Sequence, residues 1–317
     1  MMPWLMVALG LVILLLAGDA LVKGAVNLAL RVGIPALIVS LTIVAFGTSA
    51  PELLISVQAI RGDLPGIALG NVVGSNTANV LMVLGLPAII AAMNMQTCDT
   101  RKSYTMMLGV SVLFIALCFL GPLTWWHGLI LLAGLAVMLG DQLRETLAHR
   151  QSRKEEESED EGIEGADPSM TGWKIALFLV LGLIGLPLGA DLLIDGASTL
   201  ARRYGVSETV IGLTLVAVGT SLPELATTVM AALRRQADVA MGNVIGSNMF
   251  NLLAIIGIAS LIGPIPVDDQ FLTFDLWVML AAALVLAPFV FLRWTMTRAW
   301  GLGLTALYGL YLYAVVS

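Results

Sequence analysis

Two carboxylates stand in stretches that are otherwise apolar, and each is preceded by the same short pattern of oxygen donors. The first is Gly47-Thr48-Ser49-Ala50-Pro51-Glu52 and the second is Gly219-Thr220-Ser221-Leu222-Pro223-Glu224. Downstream of each lies a second polar cluster, Ser75, Asn76 and Asn79 in one half and Ser247, Asn248 and Asn251 in the other. A carboxylate inside a membrane span is expensive, and it marks a functional site by default. Pro51 and Pro223 donate no amide hydrogen, and their rings push away the carbonyls four residues back, those of Gly47 and Gly219. A carbonyl freed at membrane depth needs a partner inside the protein, or a ligand. Hydroxyls, amide oxygens, freed carbonyls and two carboxylates form an all-oxygen donor set. That chemistry suits a hard cation such as Ca2+, which takes ~6–8 oxygen ligands.

The elements that position these residues are written twice. The stretch from Leu41 to Gly85 matches the stretch from Leu213 to Gly257 without a gap, every pair lying 172 residues apart, as Thr48 does from Thr220. An internal repeat of this kind decides the reading of the fold. The chain of 317 residues is 58% hydrophobic and only 12% charged, with a mean hydropathy of +0.93. A soluble domain carries about 25% charged residues, and several apolar runs here exceed the ~20 residues that cross a bilayer as helix. The composition therefore predicts an all-α polytopic membrane protein. The net charge of −6 arises mostly from one acidic loop and does not point to nucleic acid. The N-terminal apolar run resembles a signal peptide but lacks a basic n-region. It also aligns at the same separation with Trp173–Pro187, so it reads as a retained first helix. Cys98 sits beside a basic loop and Cys118 within a span, which makes a structural disulfide unexpected.

Ten transmembrane helices are expected, at about 3–30, 35–60, 66–92, 103–121, 124–143, 172–201, 207–233, 238–263, 272–292 and 298–316. Arg31 with Gly33, and Arg203 with Gly205, close the first and sixth at equivalent positions. Lysine and arginine concentrate on one side of this arrangement, at Arg31, Arg101, Lys102, Arg144, Arg150, Arg153, Lys154, Lys174, Arg234, Arg235, Arg293 and Arg298. That side should face the cytoplasm of the plasma or inner membrane, leaving both termini extracytoplasmic. Five spans per half is an odd number, so the halves enter the membrane in opposite senses. The fold expected is thus two inverted five-helix repeats, residues 1–150 and 171–317, with broken helices meeting at the midplane, where substrate sites of such transporters lie. Between them, residues 151–170 form an acidic cytoplasmic linker, read as solvated chain. A Ca2+ sensor in this linker is the sharper alternative, but no EF-hand spacing is present.

Other classes meet specific obstacles. Asp19 and Asp191 form a matched acidic pair, yet Ala17-Gly18-Asp19-Ala20 and Gly189-Ala190-Asp191-Leu192 lack the motif expected of an intramembrane aspartyl protease. A gating or helix-end role suits them better. The histidines, His127 and His149, lie near span ends and no His-Glu-x-x-His occurs, so no metalloenzyme is indicated and the chain is read as not an enzyme. A lone membrane threonine or serine more often bonds its own helix or a neighbouring one. Placement beside Pro51 and Glu52, and duplication in the second half, favours ion binding for Thr48. Gly70, Gly74, Gly242 and Gly246 also suit close helix packing as small-xxx-small contacts, alongside their place in the repeated motif. A cation channel built on the same oxygens is the more serious rival.

Gly-Thr-Ser-x-Pro-Glu and Gly-Asn-Val-x-Gly-Ser-Asn, each present in both halves across a short acidic loop, resemble the two alpha repeats of the cation/calcium exchanger superfamily. Within it the chain is most similar to prokaryotic sodium/calcium exchangers. The resemblance implies antiport of Na+ against Ca2+, with both as bound substrates in a lipid bilayer and with neither a cofactor nor a required protein partner. It implies that Glu52, Thr48, Glu224 and Thr220 form a central calcium site. Ser49, Ser75, Ser221 and Ser247, with the backbone carbonyls of Ala45 and Ala217, would complete flanking sodium sites, and Asn79 and Asn251 would line the middle. It further implies that the first and sixth helices slide as a gate. Some relatives, K+-dependent exchangers among them, carry aspartate at the position of Asn251, so asparagine there argues against K+ co-transport. Proton/calcium exchangers tend to carry glutamate in the second motif where Gly74-Ser75 and Gly246-Ser247 stand, which favours sodium. Proton-coupled and K+-dependent exchange remain the alternatives.

Overall fold

The computed structural model describes residues 2–96, 98–155, 167, 169–205 and 217–316. Most of the acidic linker, and the Leu213–Val216 arm of the second motif, lie outside the described residues. The described chain is helical, with only two isolated β-bridges, Met93–Met296 and Leu123–Ile265. In chain order the helices are α1 Met2–Val32, α2 Ala36–Thr48, α3 Ala50–Arg61, α4 Pro65–Ile90, α5 Arg101–Cys118 and α6 Trp125–Glu155. They continue with α7 Gly172–Arg203, α8 Ala217–Thr220, α9 Leu222–Leu233, α10 Ala237–Ile262, α11 Phe271–Phe291 and α12 Arg298–Val316. Among the described residues seven helices are long and apolar enough to cross a membrane, and an eighth if the bent pair α2–α3 counts as one span. The protein is a multi-pass membrane protein.

Local chemistry explains the element ends. Gly33 (φ +75°) and Gly205 (φ +79°) adopt the left-handed conformation that ends α1 and α7, as their matched positions suggest. α2 and α3 meet at a 41° bend, where Ser49 leaves helical geometry (φ −84°, ψ 3°) and Pro51 opens the next helix. Ser221 (φ −89°, ψ 6°) and Pro223 repeat this break between α8 and α9.

Two features depart from the expected elements. The fifth span is expected to end near 143, and α6 runs to Glu155. Asp141 to Glu155 contains neither glycine nor proline, so nothing stops the helix at the membrane surface. Lys102 of α5 pairs with Asp141 (2.6 Å) just before the expected end and with Glu145 (3.1 Å) just beyond it. The second departure is a set of π-helical turns at Ser40–Val44, Asn251–Ile255 and Phe271–Asp275. Such turns insert one residue without breaking the helix, and they occur frequently at functional sites.

α1 and α7 pack antiparallel along their length. Glycines permit it: a Cβ at Gly182 would lie 2.6 Å from Leu21, and one at Gly10 would lie 2.7 Å from the backbone nitrogen of Leu193. The outer faces of this pair carry exposed apolar side chains such as Leu5, Leu16, Ile184 and Leu188, as a lipid-facing surface requires. The larger apolar core joins α2, α4, α5, α9, α10 and α11, with Val72, Leu84, Tyr104, Val244 and Phe289 fully enclosed. α10 is the most enclosed of the long helices, buried on nearly every face. Gly242 and Gly246 bring it against α2: a Cβ at Gly246 would stand 2.6 Å from the carbonyl oxygen of Leu41 and from the Cβ of Ala45. At Gly74 no described atom lies within 4 Å of such a Cβ. Ser40 Oγ donates to the carbonyl of Val239 (2.6 Å), which fixes the register between α2 and α10.

Cys98 and Cys118 are free and buried. Burial, with the nearby Asp238 carboxylate as a smaller cause, pushes the Cys98 thiol above its ordinary pKa.

Candidate cation-binding site

The proline breaks place a carboxylate in the first turn of a helix in each half of the chain, Glu52 on α3 and Glu224 on α9. The first turn presents unpaired amide groups and the positive end of the helix dipole, which favour negative charge. Neither glutamate has any solvent-exposed surface. Thr48 closes α2 and Ser49 occupies the bend, while Thr220 and Ser221 hold the corresponding places beside α9. Ser75, Asn76 and Asn79 line one face of α4. Ser247 and Asn248 lie on α10, and Asn251 begins its π-helical turn. All of these side chains are buried.

Hydrogen bonds knit the two sequence repeats together here. Ser49 Oγ donates to Glu224 Oε1 (3.2 Å), from one repeat to the other. Thr48 Oγ1 donates to Asn243 Oδ1 (3.3 Å) and lies 3.5 Å from Ser247 Oγ. Asn76 Nδ2 donates to the carbonyl of Asn248 (3.2 Å), and Asn248 Nδ2 donates back to the carbonyl of Asn76 (3.3 Å). Asn79 Nδ2 adds a bond to Asn248 Oδ1 (3.1 Å). Residues separated by more than half the chain therefore form one cluster. The carbonyl of Ala45 accepts from Ser49 N (3.1 Å) and from Thr48 Oγ1 (3.3 Å). Ala217 begins the short helix α8, one turn before Thr220.

Several polar atoms in this cluster are buried without a hydrogen-bond partner: both carboxylate oxygens of Glu52, Oε2 of Glu224, Ser221 Oγ, Oδ1 of Asn76 and Asn79, and both amide atoms of Asn251. Buried polar groups in folded proteins are nearly always satisfied, so a concentration of unpaired oxygens suits a cation. Among the described residues no group of three or more acidic, histidine or cysteine side chains comes together. The two carboxylates of this cluster, Glu52 and Glu224, stand among neutral hydroxyl and amide oxygens.

The sequence reading missed the residues behind this layer. Asn71 Nδ2 donates to the backbone carbonyl of Glu52 (3.3 Å) and to Ser56 Oγ (3.2 Å). Asn243 Nδ2 donates to the carbonyl of Glu224 (3.2 Å) and to Thr228 Oγ1 (3.1 Å). The signal was present: both asparagines belong to the repeated Gly-Asn-Val, and both lie 15 residues after a hydroxyl. The same reading singled out Asp19 and Asp191, whose surroundings differ from each other. Asp19 is held by Lys23 (2.9 Å) and Arg234 (2.5 Å), whereas Asp191 is exposed. The residue that corresponds to Arg234 in the first repeat is Gly62, so the match between the two aspartates does not extend to their partners.

Residues 2–142 and 174–317 match the family model described as sodium/calcium exchanger protein. The sodium/calcium exchanger MaX1 of Methanosarcina acetivorans is 32% identical over 335 residues, covering 96% of each chain. The inner membrane protein YrbG of Escherichia coli is 34% identical over 279 residues, covering 88% of this chain and 85% of its own. Among solved structures, the sodium-calcium exchanger NCX_Mj soaked with zero Na+ and Ca2+ superposes with a TM-score of 0.82 at 30% identity, covering 99% of both chains. With matched sequence running through both halves and the paired Glu52 and Glu224 motifs inside it, the chain belongs to the sodium/calcium exchanger family.

Proposed function

We propose that the protein is a secondary antiporter that exchanges Na+ for Ca2+ by alternating access. The observation that carries this reading is that Glu52 and Glu224, fully enclosed and bearing unpartnered oxygens, stand at two equivalent helix breaks joined by the Ser49–Glu224 bond. In this reading Glu52, Glu224, Thr48 and Thr220 hold Ca2+. Ser49, Ser75, Ser221 and Ser247, with the carbonyls of Ala45 and Ala217, complete flanking Na+ sites, and Asn79 and Asn251 line the middle. Two carboxylates neutralise one Ca2+ and compensate three Na+ incompletely, so the ions compete through charge rather than through size. A vacated site leaves two facing carboxylates unpaired in a low dielectric, which opposes crossing while empty and enforces exchange.

The architecture behind this mechanism is ten spans in two inverted five-helix repeats, residues 1–150 and 171–317, joined by the linker 151–170. α2 with α3, and α8 with α9, supply the broken helices at the midplane. α1 and α7 slide as the gate, a role supported by their close glycine-mediated packing on one another. The basic ends face the cytoplasm with the linker, and both termini lie outside. Loop pairings fit that sidedness: Met93 pairs with Met296, and Arg31 Nη1 donates to the carbonyl of Met170 (3.4 Å). Asn251, with both amide atoms unpartnered, replaces a further carboxylate and so disfavours an additional K+ or H+.

The test is Ca2+ uptake into proteoliposomes loaded with Na+, with K+, or with an acidic interior. Uptake that requires internal Na+ is expected. Uptake driven by the proton gradient would move the protein to proton-coupled exchange, and uptake regardless of the internal cation would replace antiport with a channel.

A further inference from the structure

The residue that fixes the polarity of the Thr48 hydroxyl is not itself among the proposed ligands. A hydroxyl that coordinates a cation offers it a lone pair, so its single proton must point to an acceptor elsewhere. Three hydrogen-bond partners surround Thr48 Oγ1: the carbonyl of Ala45 (3.3 Å), Ser247 Oγ (3.5 Å) and Oδ1 of Asn243 (3.3 Å). In the proposed site the first two serve the ions. Asn243 Oδ1 alone remains.

The Asn243 side chain is also held against rotation. Its other amide atom faces the backbone carbonyl of Glu224 (3.2 Å), which can only accept, so that atom is the amino group, and Thr228 Oγ1 (3.1 Å) holds it a second time. A flip would set two oxygens against each other and leave a buried donor unmet. Asn243 is fully enclosed, so water cannot substitute.

We infer that Asn243 is a positioning residue for ion binding. It accepts the proton of Thr48 whenever a cation occupies the site, and through the same carboxamide it ties Thr48 of the first repeat to the start of the Glu224 helix in the second. Occupancy at Thr48 and placement of Glu224 are thereby coupled across the repeats. Asn71 makes the same two amide bonds, to the carbonyl of Glu52 and to Ser56, on the other side.

This inference rests on the proposed ion site, and a double-mutant cycle separates the two. Apparent Na+ and Ca2+ affinities and maximal flux are measured in proteoliposomes for native protein, Thr48→Ala, Asn243→Ala and the double variant. Asn243→Ala is expected to weaken both affinities about tenfold, in line with loss of one buried hydrogen-bond partner. In the Thr48→Ala background the same change should cost clearly less than in native protein, because the Thr48 contact is already gone and only the hold on the Glu224 helix is lost. Asn243→Leu, of similar shape, replaces alanine in the cycle if Asn243→Ala does not fold. Equal losses in both backgrounds, or a fall in maximal flux with unchanged affinities, would overturn the positioning role and leave the site reading intact. Native affinities in Thr48→Ala would instead remove Thr48 from the ion site, and the inference with it.

Discussion

Replacing Glu52 with glutamine tests the site most directly, because neither of its carboxylate oxygens is engaged by the protein and the side chain has no exposed surface. Unit charges 4 Å apart at an effective dielectric of 20 interact by about 4 kcal/mol. A divalent cation doubles this to about 8 kcal/mol, against about 4 kcal/mol for Na+. Glutamine keeps an oxygen dipole and avoids part of the carboxylate's desolvation, so the net loss is smaller. Removing one partner of a buried charge pair typically costs about 3–5 kcal/mol. At about 1.4 kcal/mol per tenfold, Ca2+ affinity should fall by at least about a hundredfold. Na+, with half the charge, should lose roughly the square root of that factor. The assay is initial-rate Ca2+ uptake into Na+-loaded proteoliposomes across a range of external Ca2+, repeated with external Na+ as competitor. Near-normal uptake in Glu52→Gln, or equal losses for Na+ and Ca2+, would refute both the placement and the charge argument.

Two further outcomes follow from packing and from charge pairing outside the site. Gly246→Ala forces a Cβ to within 2.6 Å of the Leu41 carbonyl and of Ala45. Overpacking of about 1–3 kcal/mol should lower Tm and flux together, whereas Gly303→Ala, with nothing within 4 Å, should leave both unchanged. Thermal unfolding in detergent and transport by the same preparations check this pair. Asp19→Asn frees Arg234 and Lys23 and should lower Tm by a few degrees while Ca2+ affinity stays within about threefold of native, since its partners Lys23 and Arg234 are not among the proposed ion ligands. A hundredfold loss of affinity there would bring Asp19 into the ion path.

Much of the frame was legible in the residues themselves. Proline forbids a helical amide wherever it stands, so Pro51 and Pro223 announced the two breaks, and Ser49 and Ser221 occupy them with nearly the same backbone angles. Gly33 and Gly205 announced helix ends because the left-handed conformation costs glycine little. The repeated polar pattern announced which side chains are enclosed, and Glu52, Thr48, Ser75, Asn79 and their counterparts all are. These are properties of residue type and short spacing.

What the tertiary structure decided is which residues meet. A repeat at constant separation establishes equivalence, not contact, so nothing in it says that Ser49 bonds Glu224 or that Asn76 and Asn248 exchange amide bonds. Nor does it say that α2 approaches α10 at Gly242 and Gly246, which brings Thr48 to Asn243 across almost two hundred residues. The π-helical turn at Asn251 was equally hidden, because one inserted residue leaves no mark on an apolar pattern. Asp19 and Asp191 show the limit from the other side. Their equivalence was plain in the sequence, yet one is held by Arg234 and the other is exposed, because Gly62 stands where a second arginine would have been needed.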